Sequence, residues 1–269
     1  MGGKFSSEPW RDVSKDYGEN LRFLNSYKLQ KQGVKHLRIL LHGPVGAGKS
    51  SFINSVQSAL EGRISGPAEP DKNSGGSFTK EYKAYKIPKA DIIFNDIMGL
   101  EEMTNKGVKV EDLKLALKGH VANGYTFNSV QLEANNEYYI SSPTLEDKVH
   151  VLVCVIPADS VSRLGDGVVK KLREVRMAAS EMGIPQLAIL TKIDEACPEV
   201  EQNMDKVYAA CYLKRVVDEF SMLLGLSQNR IFLVRNYDKE DKTNEDMDAL
   251  ILSALKRMIC FGEDFVNNQ

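Results

Sequence analysis

Short apolar runs alternate with longer stretches of helical periodicity along most of this chain. Leu37–Leu41, Ala90–Phe94, Val149–Ile156, Gln186–Leu190 and Ile231–Val234 are short and mostly aliphatic, which predicts buried strands. Tyr82–Ile87 alternates apolar and polar positions, which predicts a strand with one exposed face. Between these runs the spacing predicts helices over Ser50–Leu60, Val168–Met182 and Val200–Leu224, the last stopped by Gly225. Met247, Leu250, Ile251, Ala254, Leu255 and Met258 recur at i, i+3, i+4 spacing and predict a final amphipathic helix. Val13, Tyr17, Leu21, Leu24 and Tyr27 predict another over Asp12–Leu29, broken by Gly33. Strands alternating with helices imply a three-layer α/β architecture, a mostly parallel central sheet covered on both faces. The expected division is an N-terminal segment and helix over 1–34 and the α/β unit over 35–269.

One stretch interrupts the alternation. Residues 101–147 separate two expected strands; Val110, Leu113, Leu117 and Val121 share a helical face, and the remainder is rich in Asn, Gly and Ser. An insertion of this length is either an active-site lid or a plain surface addition.

The predicted first buried strand leads into Gly43-Pro44-Val45-Gly46-Ala47-Gly48-Lys49-Ser50-Ser51, and a helix follows. This is the full G-x-x-x-x-G-K-[ST] phosphate loop in the setting that its physics requires. The glycines permit a tight turn and close approach of the backbone to phosphate. The amides of the loop and the helix N-terminus supply donors and positive potential. Lys49 is placed to reach the β and γ phosphates, and the Ser50 hydroxyl to ligate Mg2+. The next buried strand runs into Asn95-Asp96-Ile97-Met98-Gly99. Asp96 takes the second metal-holding position, and the Gly99 amide is a candidate γ-phosphate contact.

A third element, Thr191-Lys192-Ile193-Asp194, again follows a strand. Guanine offers two adjacent N–H donors that a single carboxylate, Asp194, can accept together, and adenine lacks this pair. The Lys192 stem can cover the face of the base. Thr79 is the candidate switch residue, closing over the metal, and with Lys49 forms the candidate catalytic set; Ser77 is its rival. A guanine O6 contact is expected from the backbone near Asn236. The three elements in this order predict a P-loop NTPase with a GTPase-type site, with GTP or GDP and Mg2+ as ligands, and give the 101–147 insertion a nucleotide to cover. His42, His120 and His150 receive no chemical role.

Composition narrows the setting. Among 269 residues, 35 Lys and Arg against 37 Asp and Glu leave a formal net charge of −2, which excludes the basic excess of a nucleic-acid binder. Cys154, Cys197, Cys211 and Cys260 show no paired spacing, so reduced thiols are expected, with Cys154 buried. The longest apolar stretch, from Val149 to Ala158, is far short of the roughly 20 residues of a membrane helix. Met1-Gly2-Gly3-Lys4-Phe5-Ser6 fits the myristoylation pattern at Gly2, against the alternative of a chance glycine start. One such chain gives reversible membrane contact only.

Glu8-Pro9-Trp10-Arg11, the Gly43–Val56 segment and Ile251-Leu252-Ser253-Ala254-Leu255-Lys256-Arg257-Met258 together resemble the interferon-induced protein 44 family of GTP-binding proteins. The resemblance implies a cytoplasmic, interferon-induced protein of innate antiviral defence on a Ras-like core. Relatives often carry a further N-terminal domain, which this chain is expected to lack.

Many GTPases place a water-orienting glutamine directly after D-x-x-G. Leu100 stands there. Three readings stay open: a GTPase with slow intrinsic turnover, assisted by a partner or by self-association; a GTP-gated interaction protein with an unknown effector; and an ATP-using small-molecule kinase, against which Asp194 argues.

Overall fold

The computed structural model describes residues 5–13, 16–68, 81–88, 90–101, 108–128 and 130–269. Thr79, Ser77 and Gly2 lie outside these residues. Six strands, β1 (Leu37–His42), β2 (Lys83–Lys86), β3 (Ile92–Asp96), β4 (Val151–Pro157), β5 (Gln186–Thr191) and β6 (Ile231–Leu233), form one sheet in the order β2-β3-β1-β4-β5-β6. Only β2 runs antiparallel to its neighbour. All seven residues of β4 are buried. Side chains of a strand point alternately to the two faces, so both faces are covered.

The covering helices form two groups. On one side α1 (Tyr17–Ser26) and α2 (Lys49–Glu61) pack against the long α7 (Glu245–Asn267), which also crosses β1, β4 and β6. On the other, α3 (Val110–Leu117) packs on α4 (Asp166–Glu181), which meets α6 (Cys211–Leu224). The four-residue α5 (Ile193–Ala196) follows β5. Gly262 allows α7 to lie close to the sheet: a Cβ there would come within 2.6 Å of Val151 Cγ2 and 2.8 Å of Leu37 Cδ1. Asp16 caps α1 and Asn244 caps α7, each accepting a backbone amide. Gly225 ends α6 in the left-handed conformation, at φ 66°.

The helix expected over Val200–Leu224 begins only at Cys211. Pro198–Val200 and Met204–Ala209 are separate 3₁₀ turns instead. The apolar spacing continues through them, but Tyr208 serves the sheet edge, its hydroxyl accepting the Leu233 amide at 3.3 Å. Trp10 packs tilted against Tyr208, ring centroids 5.2 Å apart, and donates its amide to the Tyr208 carbonyl. The Arg11 guanidinium lies 4.6 Å above the Phe232 ring and donates to the carbonyls of Gln228, Asn229 and Ile231. Glu8–Arg11 thus covers the β6 edge, where unpaired strand groups otherwise invite association.

The described part of the insertion is built into the molecule. Leu113, Leu117, Tyr125, Phe127 and Leu132 are buried, and Val121 leaves the helix to bridge Tyr139. The Tyr82 amide donates to the Tyr125 carbonyl, so the region clasps the start of β2.

In the first turn of α7, Asp248 is buried and accepts the Tyr237 hydroxyl at 2.7 Å. Burial pushes its carboxyl up to about 6. The folded state therefore holds a proton that the unfolded state releases between pH about 4 and 6, so stability falls as pH rises through that window. Asp248→Asn is expected to flatten the fall, read by urea unfolding across those pH values; an unchanged slope contradicts it.

Candidate functional site

The strand order places β1 mid-sheet, with β3 on one side and β4 on the other. In open α/β sheets ligands bind outside the carboxyl ends of the strands where strand order reverses. The Gly43–Gly48 loop, the candidate phosphate loop, lies there, between β1 and α2. Gly43 has φ 150°, and a Cβ on it would stand 2.0 Å from the Val155 carbonyl oxygen. Gly46 and Gly48 have φ 72° and 86°. Gly43→Ala is expected to cost at least about 3 kcal/mol of stability, because backbone meets backbone with no flexible side chain to yield. A urea midpoint equal to the parent's contradicts this.

Gly48 is the N-cap of α2 and no side chain caps the helix. The Phe52 N–H donates to the Gly48 carbonyl at 2.8 Å. The amides of Gly48, Lys49, Ser50 and Ser51 precede it, and helix geometry gives them no acceptor within the helix. Lys49 is only 4% exposed, and its ammonium donates to the carbonyls of Pro44 at 3.1 Å and Gly43 at 3.5 Å. An ammonium and a helix N-terminus meet at one loop, a setting that favours an anion.

Ser50 and Asp96 are brought together. The Ser50 hydroxyl donates to Asp96 Oδ2 at 2.6 Å, and the Ile97 amide donates to Oδ1 at 3.0 Å. Asp96 ends β3 in register with Leu41 of β1, which explains the approach. Hydroxyl and carboxylate are the hard oxygen donors that Mg2+ takes, so the residues present fit that ion. Gly99 packs directly on the loop: an added Cβ would lie 2.6 Å from the Val45 amide nitrogen. The Leu100 amide donates to the Gly43 carbonyl at 2.9 Å, and the Leu100 side chain is buried.

The third element reaches the same loop. Thr191 Oγ1 donates to the Ala47 carbonyl at 2.7 Å. Asn236 Nδ2 donates to the Gly48 carbonyl at 3.1 Å, so this residue meets the phosphate loop through its side chain. Lys192 is left-handed, at φ 55°, the only non-glycine residue of positive φ among those described. Such a conformation is held only where surrounding structure imposes it, and it turns the chain so that Asp194 follows on α5. Asp194 Oδ2 lies 3.3 Å from Arg235 Nε.

No family model matches the chain. Mouse interferon-induced protein 44 is 31% identical over 265 residues, which is 96% of this chain and 62% of that protein. The chain is similar to the interferon-induced protein 44 family over nearly its whole length. The human protein of that name is 30% identical over 255 residues, covering 92% of this chain and 57% of its own length. The chain thus spans about three-fifths of the curated interferon-induced protein 44 relatives it matches. Solved structures similar to it include Toc33 from Arabidopsis thaliana in complex with GDP and Mg2+, at TM-score 0.49 and 14% identity, covering 94% of this chain and 93% of that one. A probable GTP-binding protein EngB matches at TM-score 0.45 and 11% identity, over 86% and 99% of the two chains.

The described histidines flanking the sheet are structural. His42 is buried before the loop, and burial, with the nearby Lys49 charge, lowers it to about 3. His150 accepts the Arg38 amide on Nδ1 and turns Nε2 to the Leu145 carbonyl, and burial lowers it to about 4. His120 stacks on Tyr139 with ring centroids 5.0 Å apart. Arg235, absent from the sequence reading, joins the site through a long-range ion pair that spacing does not reveal. All four cysteines are free thiols, with Cys154 buried. Among the described residues no helix is long and apolar enough to cross a membrane.

Proposed function

We propose that the chain is a guanine-nucleotide-binding protein of the interferon response, taking Mg-GTP and GDP at the Gly43–Ser50 loop. The observation that carries this reading is the uncapped, glycine-entered start of α2 beside buried Lys49, with Ser50 held on Asp96. In the proposal, residues 35–269 are the nucleotide-binding unit, and α1 is its docked N-terminal addition. The amides of Gly46 to Ser51 and the Lys49 ammonium bind the phosphates, with Val45 and Gly99 lining the loop. Ser50 and Asp96, joined by Thr79, hold Mg2+, which when bound neutralises phosphate charge. Asp194 accepts the guanine donors, Lys192 covers the base, Thr191 fixes the loop and Asn236 braces it from the base side. Innate antiviral action in the cytoplasm, with a protein effector and reversible membrane contact through Gly2, completes the proposal.

Hydrolysis in this reading is slow or assisted, with Lys49 and Thr79 as its catalytic residues. The buried Leu100, its amide tied to Gly43, specifically favours a second reading, in which nucleotide binding gates a partner surface without significant turnover. Phosphate release per molecule, measured across protein concentration, separates the two. A rate that rises with concentration is expected if self-association assists hydrolysis. No release at any concentration, with GTP binding retained, overturns the hydrolytic reading and leaves the gated one.

A further inference from the structure

We propose that Arg235 is a specificity-determining positioning residue that holds Asp194 for the base; the inference rests on the guanine reading of Asp194. Arg235 follows β6, whose pairing to β5 continues through the Val234 amide on the Leu190 carbonyl at 2.9 Å. The two strand ends therefore deliver Arg235 and Asp194 side by side. Arg235 Nε lies 3.3 Å from Asp194 Oδ2, while Nη2 is 2.9 Å from Glu240 Oε1 and 3.8 Å from Glu201 Oε1. Glu240 is itself fixed, because its Oε2 accepts the amides of Asp238 at 2.9 Å and Lys239 at 3.1 Å. The guanidinium is thus anchored on one side, with its Nε in ion-pair range of Asp194 on the other.

Asp194 needs such a brace. It sits on a helix of only four residues, entered through the left-handed Lys192. Free rotation of its side chain costs ordering entropy when the base binds, and a pre-set carboxylate avoids that cost. Side chains of Asp194 and Arg235 are 23% and 20% exposed, so the pair is shielded more than a surface ion pair. A carboxylate has about four lone-pair sites, so Asp194 can pair with Arg235 and still accept both guanine donors. The following residues tie the same loop to the phosphate side: Asn236 bonds the Gly48 carbonyl, and the Tyr237 amide bonds Ser55 Oγ at 2.9 Å. Base specificity and phosphate binding then share one rigid connection.

A double-mutant cycle on the full chain tests this, with affinities for Mg-GTP, Mg-ITP and inorganic tripolyphosphate, and melting followed by circular dichroism. Arg235→Gln is expected to lower GTP affinity about tenfold, the size of one charge-assisted contact. It is expected to narrow the GTP-over-ITP ratio, because ITP lacks the 2-amino donor, and to leave tripolyphosphate binding unchanged. In the Asp194→Asn background, Arg235→Gln is expected to change GTP affinity by less than about twofold, because its target is gone. Arg235→Lys, which keeps the charge and loses the fork, is expected to restore part of the loss and stands in if the glutamine variant does not fold. Equal losses in both backgrounds, an unchanged GTP-over-ITP ratio, or a parallel loss of tripolyphosphate binding overturns the role of Arg235. Unchanged GTP affinity in Asp194→Asn alone instead overturns the guanine reading beneath it.

Discussion

Replacing Lys49 with alanine is expected to weaken GTP binding by roughly 30- to 150-fold, or about 2–3 kcal/mol, while the fold survives. Lys49 is a buried cation whose ammonium reaches back across its own loop to the carbonyls of Pro44 and Gly43. Phosphate oxygens are stronger acceptors for an ammonium than carbonyls, because charge-assisted hydrogen bonds are roughly twice as strong as neutral ones. Alanine removes that cation and leaves the glycine turn and the start of α2 intact. Gly43 and Pro44 accept other amides, Leu100 and Ala47 among them, so the loop keeps internal bonds. Titration with a fluorescent GTP analogue reads the loss, and circular dichroism melting checks the fold. Near-normal affinity in a folded variant contradicts the loop assignment.

Asp194→Asn is expected to reduce GTP affinity by a similar factor, about 2–3 kcal/mol, and to raise affinity for xanthosine triphosphate. A carboxylate only accepts, which matches the two guanine donors. A carboxamide offers one donor and one acceptor, and the 2-oxo group of xanthine suits that pattern. The substitution keeps the size of the side chain. Arg235 retains Glu240 at 2.9 Å and Glu201 at 3.8 Å, so its charge stays compensated. Competition of the two nucleotides for one fluorescent probe gives the ratio. Unchanged preference for GTP would sink the base assignment.

The parts of this fold that were legible in sequence are those with local causes. The glycine turn at Gly43–Gly48, β1 and α2 read directly because glycine spacing and two periodicities meet within a few residues. Asp96 followed from an apolar strand ending in a carboxylate, and its pairing with Ser50 at 2.6 Å follows from the parallel register of β1 and β3. The misplaced helix start before Cys211 has a non-local cause. Val200, Met204, Val207 and Tyr208 are buried at helical intervals, but their partners include the distant Glu8–Arg11 segment and the β6 edge. Periodicity records that a position is buried and does not record against what. Glu8–Arg11 was visible only as a family resemblance, and its work as an edge cover became clear in three dimensions. Arg235 was hidden for the same reason: an arginine after a strand is unremarkable until the sheet sets it beside Asp194. Thr79 and Gly2 fall outside the described residues and stand as proposals.

Calorimetric titration of Mg-GTP and Mg-ATP into nucleotide-free protein tests the central claim most directly. The account predicts one GTP site per chain, with ATP bound at least about 100-fold more weakly because adenine lacks the donor pair that Asp194 accepts. Equal affinity for the two nucleotides, or binding of neither, contradicts it.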